Sequence, residues 1–212
     1  MKITIIYDNK VAKEGLKSDW GFSCLIETYD KKILFDTGAK GSILLGNMKK
    51  LGIDPLKIEE VFISHAHYDH TGGLSDFLKI NPVKVYIPIS YKEPSGAKEV
   101  IKIKEPFEIS ENIFSTGELN NIEQSLVIKT KQNLVIIAGC SHPGVKNILM
   151  AASKFGDPTV LIGGLHGFKN FDLIKNLKLI CPTHCTQYIS KIKFLYPEKY
   201  IKGGAGKIIE IQ

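Results

Sequence analysis

The sequence has no arginine: all of its 28 basic residues are lysine, and they are scattered along the chain. Without guanidinium groups, the protein lacks the planar, bidentate donors that recognise carboxylates and phosphates most specifically. No zinc-finger spacing and no module of aromatic and basic residues accompanies the lysines, so we expect no nucleic-acid partner. The net charge of +6 predicts only a weak attraction for anions.

Long apolar runs are also absent, and none approaches the roughly 20 residues that a membrane-spanning helix needs. Residues 1–10 lack the apolar core and the cleavage site of a signal peptide. Cysteine is scarce, and the positions of the four residues (24, 140, 181 and 185) follow no disulfide framework. We therefore expect a protein with reduced thiols, no membrane contact and a cytoplasmic location.

The 212 residues are enough for one core, and we expect a single domain over 1–212. Helical spacing predicts helices at 41–51, 72–80, 145–155, 171–177 and 186–195. Short apolar or alternating runs predict strands at 2–7, 22–28, 32–35, 60–63, 83–87, 125–129, 134–138, 159–162, 178–181 and 207–211. This alternation favours an α/β or α+β protein in which helices cover sheets.

The middle of the chain differs from the rest. Residues 88–121 are rich in proline, lysine, glutamate, serine and asparagine, with only brief β-like pieces. Such a composition predicts either a β-meander or a mobile loop over one face of the protein.

The stretch "VFISHAHYDH" places four polar candidate ligands directly after a predicted strand. His65 and His67 are two residues apart, so on an extended backbone they point the same way, and Asp69 and His70 follow at once. Imidazole and carboxylate together suit zinc, iron or manganese more than calcium or magnesium. A polar surface loop is the alternative, but four such side chains within six residues favour a metal site.

The remaining three histidines share this context. His142 in "GCSHPG", His166 in "GGLHG" and His184 in "CPTHC" each follow the end of a predicted strand. Loops at one edge of a sheet converge in space. The pattern therefore predicts one metal site assembled from several strand-end loops.

With these motifs, the chain resembles the metallo-β-lactamase superfamily. His65, His67, Asp69 and His70 form its HxHxDH signature, and "LFDTG" at 34–38, "GCSHPG" and "CPTHC" stand in the expected order. The segments "WGFSCLIE", "EQSLVI", "GCSHPGVKNIL", "IGGLH" and "PTHCT" are similar to one subgroup of the superfamily. That subgroup is named for dihydropteroate-synthase-like or 7,8-dihydropterin-6-methyl-4-(β-D-ribofuranosyl)aminobenzene 5'-phosphate synthase activity.

The resemblance implies a four-layer αβ/βα sandwich with two mixed β-sheets and a cleft at their shared edge. It also implies one or two divalent metal ions in that cleft, with zinc preferred and iron or manganese as alternatives. His65 and His67 would bind the first ion. The second would be bound or bordered by Asp69, His70 and His184.

The sequence departs from the family pattern where many relatives place an aspartate that bridges two metals. Cys140 occupies that position, with His142 two residues further on, and either residue could be the ligand. A thiolate binds zinc or iron well, and His142 could equally supply the third nitrogen of the first site. Asp36 is expected to orient a ligand histidine through a hydrogen bond, or to be a turn residue of "DTG".

Two residues are predicted to contact the substrate. They are His166, flanked by glycines that allow close approach of the backbone, and Lys146, beside the "HPG" turn. For His166, the alternatives are a role behind the metal ligands or as a structural turn residue. Trp20, Phe22 and Ser23 either line the cleft or belong to the core. The cysteines outside the "GCSHPG" motif are interpreted as packing or buried strand residues: Cys24, Cys181 and Cys185.

The expected activity is a hydrolysis in which a metal-bound hydroxide attacks an ester, phosphoester or related bond of a small anionic substrate, which can be phosphorylated. Asp69 would orient the hydroxide or take its proton. One alternative is a pterin-related synthase that condenses its substrates with loss of pyrophosphate, as the subgroup is named. An alternative of another class is a sensor that binds a metal or a small ligand without catalysis. The sequence predicts no oligomeric state.

Overall fold

The computed structural model describes residues 1–29 and 31–212, which form two sheets flanked by helices. The strands are β1 (Lys2–Tyr7), β2 (Ser23–Thr28), β3 (Lys31–Phe35), β4 (Glu60–Phe62), β5 (Lys84–Pro88), β6 (Glu99–Ile103), β7 (Phe107–Ser110), β8 (Ile113–Ser115), β9 (Leu126–Lys129), β10 (Leu134–Ala138), β11 (Val160–Gly164), β12 (Leu179–Thr183) and β13 (Ile208–Glu210). The α-helices are α1 (Gly41–Leu51), α2 (Tyr68–Thr71), α3 (Leu74–Ile80), α4 (Val145–Ala152) and α5 (Ile189–Leu195). In this described part of the chain, no helix combines the length and the apolar character needed to cross a membrane.

Both sheets are mixed. The first has the order β13-β1-β2-β3-β4-β5-β6, with antiparallel pairing as far as β3 and parallel pairing from β3 to β6. The second has the order β12-β11-β10-β9-β8-β7, in which β12, β11 and β10 are parallel and the other pairs are antiparallel. The segments that directly follow β4, β10, β11 and β12 carry all six histidines, with His70 on the short helix α2 and the others in loops.

Alternation of side chains along the strands separates three hydrophobic layers. In β3, Ile33 packs between the sheets, whereas Leu34 packs with residues of α1 and α3 on the outer face. In β10, Ile137 packs between the sheets and Ile136 packs with residues of α4 and α5. The resulting order of helices, sheet, sheet and helices confirms the predicted four-layer sandwich.

The strands and helices mostly lie where the sequence predicts them. The helix predicted at 41–51 has the same bounds, and it ends at Gly52, whose φ of 70° lets its N–H bond to carbonyl groups of the last turn. The helix predicted at 186–195 begins only at Ile189. The residues before Ile189 are held outside the helix, since Thr186 Oγ1 accepts a hydrogen bond from Leu165 N and donates one to Thr183 O. The helix predicted at 171–177 is a 3₁₀ turn at Phe171–Ile174.

Residues 88–121 contain three strands, β6, β7 and β8, and are not one continuous loop. β6 pairs with β5 at the edge of the first sheet, while β7 and β8 pair with each other and with β9 in the second. The meander interpretation is therefore correct for 107–115. The strand signal is weak because β6 and β7 lie at sheet edges, where half-exposed polar residues interrupt the apolar alternation.

The central layer offers a test of the fold. We expect Ile128→Ala to lower the free energy of unfolding by about 2–5 kcal/mol, because it removes a fully buried side chain between the two sheets. The matched control is Met150→Ala on α4, where the side chain is 58% exposed and the expected loss is below about 0.5 kcal/mol. Urea unfolding with a chelator present measures both. Equal losses would contradict this assignment of the core.

Candidate metal centre

Asp36 lies behind the cleft and holds Ser64 and His70 in place through hydrogen bonds. Its Oδ1 accepts a hydrogen bond from Ser64 N at 2.7 Å, and its Oδ2 accepts hydrogen bonds from Ser64 Oγ at 2.7 Å and His70 Nδ1 at 2.6 Å. Ser64 Oγ lies 2.9 Å from His65 Nδ1. Because the Nδ1 atoms of both histidines are engaged on this side, their Nε2 atoms are left to face the cleft. The hydrogen bond expected between Asp36 and a candidate ligand histidine is present.

Two sets of donor atoms converge in the cleft. The first consists of His65, Cys140 and His142, and the second of Asp69, His70, Cys140 and His184. Within each set, the donor atoms lie within 4.8 Å of one another. His67 joins the first set, because its Nδ1 lies 3.0 Å from His65 Nε2 and its ring lies 4.6 Å from that of His142.

Cys140 is common to both sets. Its Sγ lies 3.2 Å from His70 Nε2, and the residue is buried. The sequence left open whether Cys140 or His142 faces the metal position. The structure brings both there, with Cys140 between the two sets and His142 in one of them.

His184 is held by residues that follow β1. Its backbone N–H donates to Asp8 Oδ1 at 3.0 Å, and its Nδ1 lies 2.9 Å from Asn9 Oδ1. Asn9 Nδ2 in turn donates to His184 O at 3.0 Å. Sequence reasoning missed this pair, although "YDNK" after the first strand has the same form as the histidine loops: a polar pair at a strand end.

Glu123 is another residue that sequence reasoning missed. Its Oε1 accepts hydrogen bonds from the N–H groups of Gly139, Cys140 and Ser141, each at 3.0 Å, and its Oε2 accepts one from His142 N at 2.8 Å. Burial raises the pKa of Glu123 to about 7, and the backbone donors act in the opposite direction. The available signal was an acidic residue beside a buried strand, within the motif "EQSLVI".

Burial favours the neutral form of three of the imidazoles. Burial lowers the pKa of His142 to about 4, and it lowers the pKa values of His65 and His70 further, well below the usual range of histidine. Burial opposes the ionisation of Asp69, but contact with His184 outweighs it and lowers the pKa of the carboxyl group. Neutral imidazole and ionised carboxylate are the forms that bind metal ions.

The pKa values of two neighbouring thiols, Cys140 and Cys185, are shifted in opposite directions. Contact with Cys185, together with burial, raises the pKa of Cys140, and the same contact lowers the pKa of Cys185 to about 6. A coordinated cation would deprotonate Cys140, so it would bind as a thiolate. Cys185 Sγ also lies 3.8 Å from Cys140 O, so Cys185 adjoins a candidate ligand and is more than the packing residue expected. Cys24 and Cys181 do lie in the central hydrophobic layer.

The donor set fits a divalent transition metal. Among the described residues, the Nε2 atoms of His142 and His184 are buried without a hydrogen bond, although His184 Nε2 lies 3.0 Å from Asp69 Oδ2. Buried polar atoms without partners are uncommon, and a bound ion accounts for them. Nitrogen and sulfur donors with one carboxylate match zinc or iron better than calcium or magnesium.

Of the two residues expected to contact substrate, one lies beside the cleft and the other does not. His166 is exposed, and its ring lies 5.1 Å from that of His142, above the first donor set. Lys146 lies instead on the outer side of α4, along a groove of about 530 Å³ that none of the candidate ligands lines. The prediction for Lys146 therefore lacks support, because the lysine follows the turn and lies on a helix face directed away from the cleft.

Trp20, Phe22 and Ser23, before and at the start of β2, also lie in different surroundings. Trp20 is 57% exposed and its ring lies 5.0 Å from that of His184, so it borders the cleft. Phe22 is fully buried between the sheets. Ser23 donates a hydrogen bond to Asp36 O at 2.8 Å, behind the site.

A sequence model of the metallo-beta-lactamase superfamily matches residues 21–148, more than half of the chain. The chain belongs to the metallo-β-lactamase superfamily. The match includes the HxHxDH signature and the Cys140–His142 loop. All residues of the two donor sets except His184 lie within the matched segment, and His184 follows in the loop after β12.

Similarity to known proteins extends over the whole chain. The 7,8-dihydropterin-6-methyl-4-(β-D-ribofuranosyl)-aminobenzene-5'-phosphate synthase of Methanocaldococcus jannaschii is 29% identical, over 91% of this chain and 90% of that protein. Tm1679, described as a metal-dependent hydrolase of the β-lactamase superfamily, has a TM-score of 0.80 and 26% identity, over 100% of this chain and 99% of that one. YhfI of Bacillus subtilis, a metallo-β-lactamase fold protein, has a TM-score of 0.70 at 13% identity, over 99% of both chains. The last likeness shows the fold alone.

Because Cys140 belongs to both donor sets, its loss should affect both ions. We expect Cys140→Ala to weaken zinc binding at both positions by more than the roughly 10- to 100-fold typical of residues that only orient a ligand. His142→Ala should weaken one position only. Calorimetric zinc titration measures stoichiometry and affinity, with Cys181→Ala in the central layer as control. If Cys140→Ala changed only one position, the shared role of the thiol would be wrong.

The pH dependence of metal binding follows from the histidine pKa values. Protons compete with the metal for ring nitrogens, so affinity falls as the pH drops through the pKa of the ligand. With the pKa of His142 lowered to about 4, we expect zinc to be retained at about pH 6 and lost near pH 4. Zinc content after dialysis across this range measures the loss, and circular dichroism checks folding. A midpoint near 6.5, the ordinary histidine value, would contradict the expectation.

Proposed function

We propose that the protein is a metal-dependent hydrolase that cleaves an ester, phosphoester or related bond of a small anionic substrate. The observation that carries the proposal is the pair of donor sets that share Cys140, beside the exposed residue His67. The similarity to Tm1679, described as a metal-dependent hydrolase, supports it. One ion would be held by His65, His67, Cys140 and His142, and the other by Asp69, His70, Cys140 and His184.

Divalent ions in these positions, with zinc preferred and iron or manganese as alternatives, would make water more acidic and stabilise negative charge on a substrate oxygen. Asp69 lies at the open side of the second set, with its side chain 17% exposed. Contact with His184 keeps its pKa low, so the carboxylate is ionised and accepts a hydrogen bond from the attacking water. It takes the proton as the water oxygen bonds to carbon or phosphorus, and the proton passes to the leaving group as the old bond breaks.

The rim of the cleft suggests how the substrate is held. The exposed ring of His166 stands above the first donor set, where it can hydrogen-bond to a substrate atom. Trp20 borders the cleft beside His184 and offers an aromatic surface. Since the chain has no arginine, lysine side chains and backbone N–H groups would hold an anionic group of the substrate. These features favour a small-molecule partner over a nucleic acid.

A second function has one specific observation in its favour. The relative from Methanocaldococcus jannaschii that matches over nine-tenths of its length is a synthase named for a 5'-phosphate compound. We therefore propose a pterin-related condensation with loss of pyrophosphate as the alternative. The same metal ions would then stabilise the charge of the departing phosphate oxygens.

Asp69 gives a direct test of the hydrolase. We expect Asp69→Asn to lower kcat by about 10²- to 10⁴-fold on any substrate that the zinc-loaded protein hydrolyses, because the amide cannot take a proton. The assay uses phosphomonoesters, phosphodiesters, lactones, thioesters and β-lactams, with metal content measured for each variant. Asp157→Asn is the matched control, since Asp157 is exposed and lies along the outer groove.

The outcomes separate the alternatives. Turnover that Asp69→Asn abolishes and Asp157→Asn preserves would support the hydrolase. Turnover only with a pterin pyrophosphate and a phosphorylated aminobenzene riboside would support the synthase. Stoichiometric metal without turnover in either assay would leave the non-catalytic sensor and exclude both enzymes.

A further inference from the structure

Glu123 is not a candidate ligand, but its carboxylate accepts four hydrogen bonds beside the candidate site. Its carboxylate is fully buried and accepts four backbone hydrogen bonds from consecutive residues, 139–142. Two of these N–H groups belong to Cys140 and His142, the donors from the second half of the chain. The side chain of Glu123 therefore contacts the backbone of the two residues, Cys140 and His142, that supply these donors.

The backbone around Glu123 is joined to the first half of the chain. Glu123 pairs with His65 in an antiparallel β-bridge, and Gln124 N donates to Ser64 O at 2.9 Å. The side chain of Gln124 adds a bond from its Nε2 to Ile63 O at 2.9 Å. One short segment thus contacts the loop that carries His65 and, through Glu123, the loop that carries Cys140 and His142.

The two loops also touch each other directly. A side chain at Gly139 would place its Cβ 2.2 Å from Ser64 Oγ and 3.0 Å from His65 Nδ1, so glycine alone fits there. Two positions further on, Ser141 has a φ of 60°, a left-handed conformation that costs a non-glycine residue free energy. Hydrogen bonds from outside the loop keep this conformation: four go to the carboxylate of Glu123, and one goes from Ser141 Oγ to Gly164 O at 2.7 Å.

We propose that Glu123 is a positioning residue that holds Cys140 and His142 in place before a metal binds and sets their distance from His65. The proposal rests on the proposed metal site. The two donor sets depend on Glu123 unequally. The first takes two donors from the 139–142 loop, Cys140 and His142, whereas the second takes only Cys140.

The charge of Glu123 matters as well as its shape. All four of its contacts are N–H donors, so an ionised carboxylate satisfies each of them. In Glu123→Gln, the amide oxygen can still accept three of these bonds, but the NH₂ group would face the N–H of His142. That N–H would lose its partner, and the loop would loosen at His142.

The experiment compares Glu123→Gln with Glu60→Gln by cobalt titration. Glu60 is the matched control, because it is also buried but pairs with Lys31 at 2.7 Å, outside the donor sets. We expect Glu123→Gln to bind cobalt at the first position about 10- to 100-fold more weakly, with a smaller change at the second. The thiolate-to-cobalt absorption band should weaken in Glu123→Gln and stay unchanged in Glu60→Gln.

The results distinguish positioning from general stabilisation. A purely structural role would lower the urea midpoint of Glu123→Gln while leaving cobalt affinity and the thiolate band as in the wild type, and this would overturn the proposal. If the wild type bound no cobalt at all, the proposed metal-dependent function would itself fail. Wild-type binding with an unchanged Glu123→Gln variant would remove only the role of Glu123.

A measurement on the wild type needs no variant. In the metal-free protein, we expect the amide hydrogens of 139–142 to exchange as slowly as those of the neighbouring strand β10, because Glu123 already holds them. Fast exchange that becomes slow only after cobalt is added would show that the metal orders the loop. That result would overturn the proposal.

Discussion

The close approach of two strand-end loops, one from each half of the chain, is the contact on which the candidate site depends. Gly139 packs against Ser64 and His65 so tightly that no side chain fits between them. This contact brings Cys140 to within 3.2 Å of His70, although the two residues are far apart in sequence. Neither half of the chain supplies all the donors of either set, so the packing of the two sheets creates the candidate site.

Polar groups in so buried a place are stable only when they have partners. The structure supplies these partners from behind the cleft. Asp36 accepts three hydrogen bonds from Ser64 and His70, and Asn9 engages both the ring and the carbonyl group of His184. The Nδ1 atoms of His65, His70 and His184 are thereby engaged behind the cleft, which leaves their Nε2 atoms to face it. Among the described residues, the side-chain nitrogens buried without a hydrogen bond are His142 Nε2 and His184 Nε2, one in each donor set.

Much of this could be predicted from the sequence, because the signals are local. Apolar alternation located β1, β2, β3 and β10, and the spacing of His65 and His67 pointed to a metal site before any fold was known. The edge strands β6 and β7 escaped prediction, since their exposed polar residues blur the alternation. Asn9 and Glu123 escaped for another reason. Their position beside a buried strand marks them as candidates, but their contacts lie with residues distant in sequence, which a local pattern does not identify.

The sequence by itself determined which residues can carry metal chemistry and at which strand ends they stand, since residue type and periodicity are properties of short segments. Only the tertiary structure decided how these residues are divided between two positions. It placed Cys140 in both donor sets and His142 in one, and it turned Lys146 away from the cleft. The physical reason is that a donor set is defined by distances of a few ångströms between loops, and those distances exist only after the two sheets have packed.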